Sequence, residues 1–219
     1  NIVVDGLIDV RSEYNFGNSQ NCAKRDLGSA DNANPTYFTG EVVNAIIIGR
    51  QILNNAQADA TETSPGSLSP DAAAALAVQI EIAALTWEKC IAATVVHYIN
   101  DVKGDMANFV GDEFADLDNF KDLAKHWSEG AGFALGLQFS PFSPFRDASV
   151  PGIDVNSLKT ILQLLGTAPV LADGTQNGLL FNGASSPAAA RDDYLANLNQ
   201  ARDILQKAYG FDATNVANW

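Results

Sequence analysis

His126 and Glu129 are the residues whose types and spacing point most directly to chemistry. They lie three positions apart in a segment that is predicted to be helical, so both side chains project from one face. An imidazole nitrogen and a carboxylate oxygen placed in this way can bind one metal ion, as in iron and manganese sites of helical bundles. Asp122, one turn earlier, is placed to accept a hydrogen bond from the other ring nitrogen. The alternative is a His–Glu pair that neighbouring protein groups satisfy.

A second predicted helix carries another candidate ligand, Glu88. Its side chain shares a face with Ala84, Ala92 and Val95, all of which are apolar. A carboxylate on an apolar stripe needs a salt bridge, a proton or a metal ion. The sequence therefore predicts Glu88 as a metal ligand from a second helix.

His97 and Asp101 lie one turn apart on that same helix. Their i,i+4 spacing predicts a hydrogen-bonded pair. We expect this pair to play a structural role next to the metal ligands and not to bind the metal ion directly.

Several other classes of function lack support in the sequence. It contains no His-Glu-x-x-His peptidase motif, no Gly-x-Ser-x-Gly elbow and no P-loop. Its two cysteines are too few for a Cys-rich zinc or iron–sulfur site. The net charge of −13 disfavours nucleic acids and anionic membranes as partners. No apolar stretch is long enough to span a membrane.

The elements that must position these residues are predicted to be helices. Apolar residues recur at intervals of three and four, and Ser-Pro pairs mark helix starts. We expect the helix 112–139 to be buried on all sides beyond Gly130. Residues 1–38 read as an irregular amino-terminal segment, 57–68 as a linker and 167–184 as a loop. The fold class is all-α, a helical bundle over residues 39–219, with helices predicted over 39–55, 70–101, 112–139, 155–165 and 187–209.

The two cysteines, Cys22 and Cys90, are compatible with one disulfide or with two buried thiols. Cys22 lies among Gly, Ser, Asn and Asp residues, which favours the disulfide. Such a bond would pin the amino-terminal segment to the longest helix. The first residue is Asn1 rather than Met, so we expect a processed chain or a fragment of a longer one.

Three segments in order resemble the imelysin-like superfamily. They are residues 87–101, which contain His97-Tyr98-Ile99-Asn100, residues 125–141, which begin Lys125-His126-Trp127-Ser128-Glu129-Gly130, and Ala208-Tyr209-Gly210-Phe211. Residues 15–18 add a fourth similarity. The resemblance is greatest to the algal iron-assimilation proteins, or phytotransferrins, and to a related bacterial domain of unknown function.

This resemblance implies a bundle of two related halves, a secreted or envelope location and a His-x-x-Glu metal motif tied to iron uptake. Only His126 and Glu129 match that motif by position. Residues 39–219 would then be the carboxy-terminal half of a longer protein. The glycines at 130 and 132 depart from the pattern, and we expect them to loosen the helix.

Three functions follow as hypotheses. The first is a secreted, periplasmic or cell-surface protein that binds iron, or another divalent metal, for uptake or storage. The second is a non-catalytic structural or adhesive extracellular domain that retains the fold. The third, ranked lowest, is a metallopeptidase, for which the sequence offers no clear general base. The expected partners are a metal ion and either a missing amino-terminal half or another envelope or extracellular protein.

Overall fold

Eight α-helices make up most of the chain that the computed structural model describes, which is residues 19–56 and 67–219. The fold class is all-α, as the sequence predicts. Two short antiparallel hairpins, β1–β2 and β3–β4, connect some of the helices. The bounds are α1 Ser19–Ser29, α2 Phe38–Ala56, α3 Pro70–Ala107, β1 Phe109–Val110, β2 Glu113–Phe114, α4 Leu117–Gly136, α5 Pro144–Asp147, α6 Val155–Leu165, β3 Thr175–Gln176, β4 Leu179–Leu180, α7 Pro187–Tyr209 and α8 Ala213–Asn218.

The central element is α3, whose 38 residues contact α1, α2, α4, α7 and α8. The Ser69 hydroxyl accepts a hydrogen bond from the amide of Ala72, and Pro70 occupies the first turn, where it costs no hydrogen bond. The buried residues of α3 all lie between Thr86 and Met106. The helix extends six residues beyond the predicted end at 101, because its last turns are still covered by neighbouring helices.

Helices α6 and α7 begin and end where the sequence predicts. Asp154 and Ser157 form a reciprocal capping box at the start of α6. Ser186 caps α7, and Gly210 ends it in the left-handed conformation, at φ 65°. The face of α7 toward the core combines small and large residues, and the buried ones are Ala190, Tyr194, Leu198, Ala201, Leu205, Ala208 and Tyr209.

The first helix, α1, corrects the prediction of an irregular segment over residues 1–38. Its sequence has no apolar stripe, and tertiary bonds hold it in place instead. Cys22 forms a disulfide with Cys90 of α3, which confirms that prediction. The Asp26 carboxylate accepts hydrogen bonds from the amides of Phe38 and Thr39 at the start of α2. Residues 1–18 and 57–66, including the similarity at 15–18 and most of the linker, lie outside the described residues.

The chain that follows α7 packs against the first helix. The short helix α8, which the sequence analysis did not predict, leads to Trp219. The indole Nε1 of Trp219 donates to the carbonyl of Arg25 at 3.1 Å, across 194 residues of sequence. The side-chain amide of Asn100 in α3 donates to the carbonyl oxygen of Trp219 at 2.8 Å. These bonds join α1, α3 and α8 at one end of the core.

The prediction for residues 112–139 was wrong in two respects. The region starts with the β1–β2 hairpin, so α4 begins only at Leu117, where Asp116 caps it. Beyond Gly130 one face is buried, through Ala134 and Leu137, while Leu135 is 50% exposed and Phe139 74% exposed. Among the described residues, α4 packs mainly against α3 and α6, which cover one of its sides. Likewise, the predicted loop 167–184 contains the β3–β4 hairpin.

The α2–α3 pair extends beyond the core. Each helix packs on the other, and the buried Gly49 of α2 lies next to the Leu76 side chain of α3. Within residues 19–56 and 67–219, no helix combines the length and the apolar character that crossing a membrane requires.

Candidate functional site

His126 of α4 faces α3, where its imidazole ring is hydrogen-bonded to the Asp105 carboxylate. The distance between His126 Nδ1 and Asp105 Oδ2 is 2.8 Å, and the two side chains are 19% and 12% exposed. Gly130 makes this contact possible, because a Cβ at that position would lie only 3.0 Å from Cβ of Tyr98 in α3. Contrary to expectation, the glycine does not loosen α4, which continues to Gly136. It lets the two helices approach closely.

One carboxylate oxygen lies between the two histidines of the chain. Oδ2 of Asp101 is 3.2 Å from Nε2 of His97 and 3.8 Å from Nε2 of His126. The i,i+4 pair of His97 and Asp101 therefore forms as predicted. The sequence analysis did not connect it with His126, because the contact crosses from α3 to α4. We call His97, Asp101, Asp105 and His126 the His–Asp cluster.

Positive charge from α1 borders the cluster. Arg25 is 7% exposed, and its guanidinium interacts electrostatically with Asp101. Burial lowers the pKa of His97 to about 4, and the repulsion from Arg25 acts in the same direction. Asp101 opposes this shift but does not overcome it. The His97 imidazole is therefore neutral at pH 7, the state in which a ring nitrogen can accept a proton or bind a metal ion.

Glu129 lies beside Tyr98 rather than in the cluster. Burial of the phenol and the neighbouring Glu129 carboxylate raise the pKa of Tyr98 to about 12. One carboxylate oxygen of Glu129 is 4.0 Å from Nζ of Lys125 and has no hydrogen-bond partner. The Tyr98 ring stacks on His126, with centroids 6.1 Å apart. Tyr98 thus lies beside both His126 and Glu129, the two residues that the sequence analysis assigned to one ion.

Asp122 is exposed on α4, and the ring nitrogen that it was expected to bind, Nδ1 of His126, is bonded to Asp105 instead. The sequence analysis missed Asp105. The signal was present, because His97, Asp101 and Asp105 follow one another at intervals of four residues along one face of α3.

Glu88 belongs to a different part of the core. It is 3% exposed, and the Tyr209 hydroxyl donates to its Oε1 at 2.5 Å. Its Oε2 has no hydrogen-bond partner. Burial and this carboxylate together raise the pKa of Tyr209. Glu88 precedes Asp101 by 13 residues, which is about 20 Å along the helix. It does not meet His126 at one ion, because His126 contacts α3 at Asp101 and Asp105.

Within residues 19–56 and 67–219, no three His, Cys, Asp or Glu side chains are arranged so that they could bind one metal ion together. The cluster instead brings two imidazoles and two carboxylates together across α3 and α4. His126 is hydrogen-bonded to Asp105, and Asp101 Oδ2 lies 3.2 and 3.8 Å from the two Nε2 atoms. These groups are nitrogen and oxygen donors of the kind that bind iron, zinc and manganese.

Comparison of the chain with protein-family models, with curated proteins and with solved structures found no match. The resemblance to imelysin-like proteins therefore stays a prediction from the sequence.

Proposed function

We propose that this protein is an extracellular or envelope protein that binds iron for uptake or storage, through His97, Asp101 and His126. The observation that carries the proposal is the position of Asp101 Oδ2 between ring nitrogens of two histidines, at 3.2 and 3.8 Å. Ligand atoms that bind one transition metal at about 2.0–2.2 Å are separated from each other by roughly 3–3.5 Å. The spacing in the cluster is close to that range.

The surroundings of the three donors support the proposal. Asp105 holds Nδ1 of His126 and would keep Nε2 available as the ligand atom, as carboxylates commonly do behind metal-bound histidines. The buried Arg25 guanidinium repels a metal cation. The negative charges of Asp101 and Asp105 offset this repulsion. Binding requires the donors to reposition around the ion.

Location and metal are separate parts of the proposal. The Cys22–Cys90 disulfide is compatible with an oxidising compartment. Iron is preferred over other transition metals because of the resemblance to iron-assimilation proteins. A peptidase is less well supported, since the cavity beside His126 measures about 10 Å³, which is room for about one water molecule.

The test is metal content by mass spectrometry on protein purified without added metal or chelator, and again after ferrous and ferric iron are offered. We expect near-stoichiometric iron that is lost in His97→Ala/His126→Ala. Asp122→Asn is the matched control, because Asp122 is exposed on the same helix and should leave binding unchanged. Glu129→Gln separates the two candidate ligand sets, because its loss of iron would favour the His126–Glu129 site and its retention of iron would favour His97, Asp101 and His126.

A structural role for the same cluster is the second candidate function. It is favoured by the 2.8 Å contact between His126 and Asp105, which satisfies both groups without an ion. Under this hypothesis wild type binds no metal even when iron is offered, and His126→Ala lowers stability by leaving Asp105 unpaired. That pair of results would refute the iron-binding proposal.

A further inference from the structure

The first helix, α1, places a buried positive charge beside the His–Asp cluster. The Arg25 side chain is buried, and its Nε has no hydrogen-bond partner among the described residues. The Arg25 carbonyl accepts the hydrogen bond from the Trp219 indole. The Trp219 carbonyl in turn accepts one from Asn100, which precedes Asp101 in α3. These contacts place Arg25 at the same level of α3 as the cluster.

This position is unfavourable for the guanidinium and for any cation near it. Loss of hydration lowers the pKa of Arg25, and the attraction of Asp101 offsets only part of that effect. The same guanidinium disfavours a proton on His97. A divalent metal ion carries more positive charge than a proton, so Arg25 should oppose its binding more strongly.

The contacts of α1 differ between its two ends. Toward its carboxy-terminal end, the Asp26 carboxylate bonds α2 and the Ser29 hydroxyl bonds Thr36. Toward its amino-terminal end, the Cys22–Cys90 disulfide is a covalent link to α3. The buried face of α1 includes no large aliphatic or aromatic side chain, since its buried residues among those described are Asn21, Cys22, Arg25 and Ser29.

The disulfide therefore controls how closely this end of α1 approaches α3. Arg25 follows Cys22 by three residues, so both side chains project from one face of the helix. A helix whose buried face is mostly polar gains little from apolar burial. Without the covalent link, the amino-terminal end of α1 can move outward, and the Arg25 guanidinium can regain its hydration.

We propose that α1 is an autoinhibitory helix, which the Cys22–Cys90 disulfide holds with Arg25 against the His–Asp cluster and which a dithiol releases. The inference rests on the proposed binding of iron by the cluster. In the oxidised protein, the guanidinium weakens metal binding. In the reduced protein, α1 moves away from α3 and the cluster binds metal more tightly.

The redox step is an exchange between a dithiol and the protein disulfide. A thiolate of the dithiol attacks one sulfur and forms a mixed disulfide, and its second thiol then displaces the protein sulfur. Two electrons and two protons pass to the protein, which leaves Cys22 and Cys90 as thiols and the dithiol as a cyclic disulfide. Both cysteines are buried, so the attack requires a transient local opening of α1.

The test is the dissociation constant for ferrous iron, measured by titration calorimetry in the absence of oxygen. Cys22→Ala/Cys90→Ala represents the released helix without thiols that could themselves bind iron, and it should bind about 10-fold or more tightly than wild type. Arg25→Gln keeps the disulfide and should show a similar gain. Lys24→Gln is the matched control, because it removes the same charge from an exposed position on α1 and should change the affinity by about twofold at most.

A combined variant tests whether the disulfide acts through the guanidinium. In Cys22→Ala/Cys90→Ala/Arg25→Gln the two gains should not multiply, and the affinity should stay within about threefold of that of either parent variant. Wild type that is reduced with dithiothreitol, then freed of it without oxygen, should show the same gain. Reoxidation of the disulfide should restore the weaker binding.

The outcomes separate this inference from the proposed function. Equal affinity for ferrous iron in wild type and Arg25→Gln would overturn the inference alone. A gain in Arg25→Gln without one in the folded cysteine variant would also overturn it, because the disulfide would then not control the charge. Absence of iron binding in every variant would refute the proposed function, and this inference with it. Circular dichroism on each variant shows that it remains folded, so a change in affinity is not a result of unfolding.

Discussion

Removal of the Cys22–Cys90 disulfide should cost about 4 kcal/mol of unfolding free energy. The bond closes a loop with a sequence separation of 68 residues. In the chain-entropy account, a cross-link over a loop of that length removes about 15 cal/mol/K from the unfolded ensemble, which gives about 4 kcal/mol at 25 °C. The variant Cys22→Ala/Cys90→Ala removes the bond and leaves no free thiol, since the chain has no other cysteine.

Urea unfolding followed by circular dichroism gives the free energy, and two controls separate its causes. Both cysteines are buried, so the alanines also remove packed sulfur atoms. Wild type under reducing conditions keeps those atoms and should lose most of the same 4 kcal/mol. The reduced protein could instead lose less than about 1 kcal/mol of unfolding free energy, with the same dependence of that free energy on urea concentration. This result would refute the argument that the cross-link acts through the unfolded chain.

The same perturbation should act unevenly within the folded protein. Helix α1 has few apolar residues of its own, and its other ties include the Asp26 bonds to α2 and the Trp219 bond to Arg25. Without the disulfide, amide hydrogen exchange in α1 should accelerate more than exchange in α7. Equal changes in both helices would show that α1 unfolds only together with the core.

Three further predictions concern stability. In metal-free protein, the pKa of His97 is lowered to about 4 in the fold, so the unfolded state binds more protons below pH 6.5. Stability should be full above pH 6.5 and fall by about 1–2 kcal/mol toward pH 4 after allowance for solvent screening, and His97→Gln should flatten this dependence in urea titrations at several pH values. Gly130→Ala should be less stable than its control Gly132→Ala by about 1–3 kcal/mol in the same assay, because only the first places a Cβ against Tyr98. Ser186→Ala should lower the melting temperature by about 2–4 °C through loss of the α7 cap, and an unchanged melting temperature would contradict that role.

The helices that the sequence predicted well are those with local signals at both ends. Ser186-Pro187 and Gly210 bound α7, and Asp154 and Gly166 bound α6. These signals act within a few residues, so a single sequence contains them. Helix α1 lacks such local signals. It is held instead by a disulfide to α3 and by a hydrogen bond from Trp219. Those partners are 68 and 194 residues away in sequence, beyond the reach of a periodicity argument.

The candidate site shows the same division. The pairing of His97 with Asp101 follows from spacing along one helix, and it was predicted. The pairing of His126 with Asp105 depends on how α4 lies against α3, which the close approach at Gly130 determines. The assignment of Glu88 to the site failed for a related reason. A buried carboxylate signals a partner but does not identify it, and here the partner is Tyr209.

The hydrogen bond from Trp219 to Arg25 has a consequence for synthesis. On the ribosome, α1 emerges early, but the indole that bonds its backbone is translated 194 residues later. At about 5–20 residues per second, α1 waits on the order of ten seconds or more for this contact. Until then the polar helix has only its contacts with α2 and α3, which include the Asp26 hydrogen bonds and the Cys22–Cys90 disulfide. Helix α1 is therefore made well before one of the contacts that hold it, and early formation of the Cys22–Cys90 disulfide would hold it on α3 in the meantime.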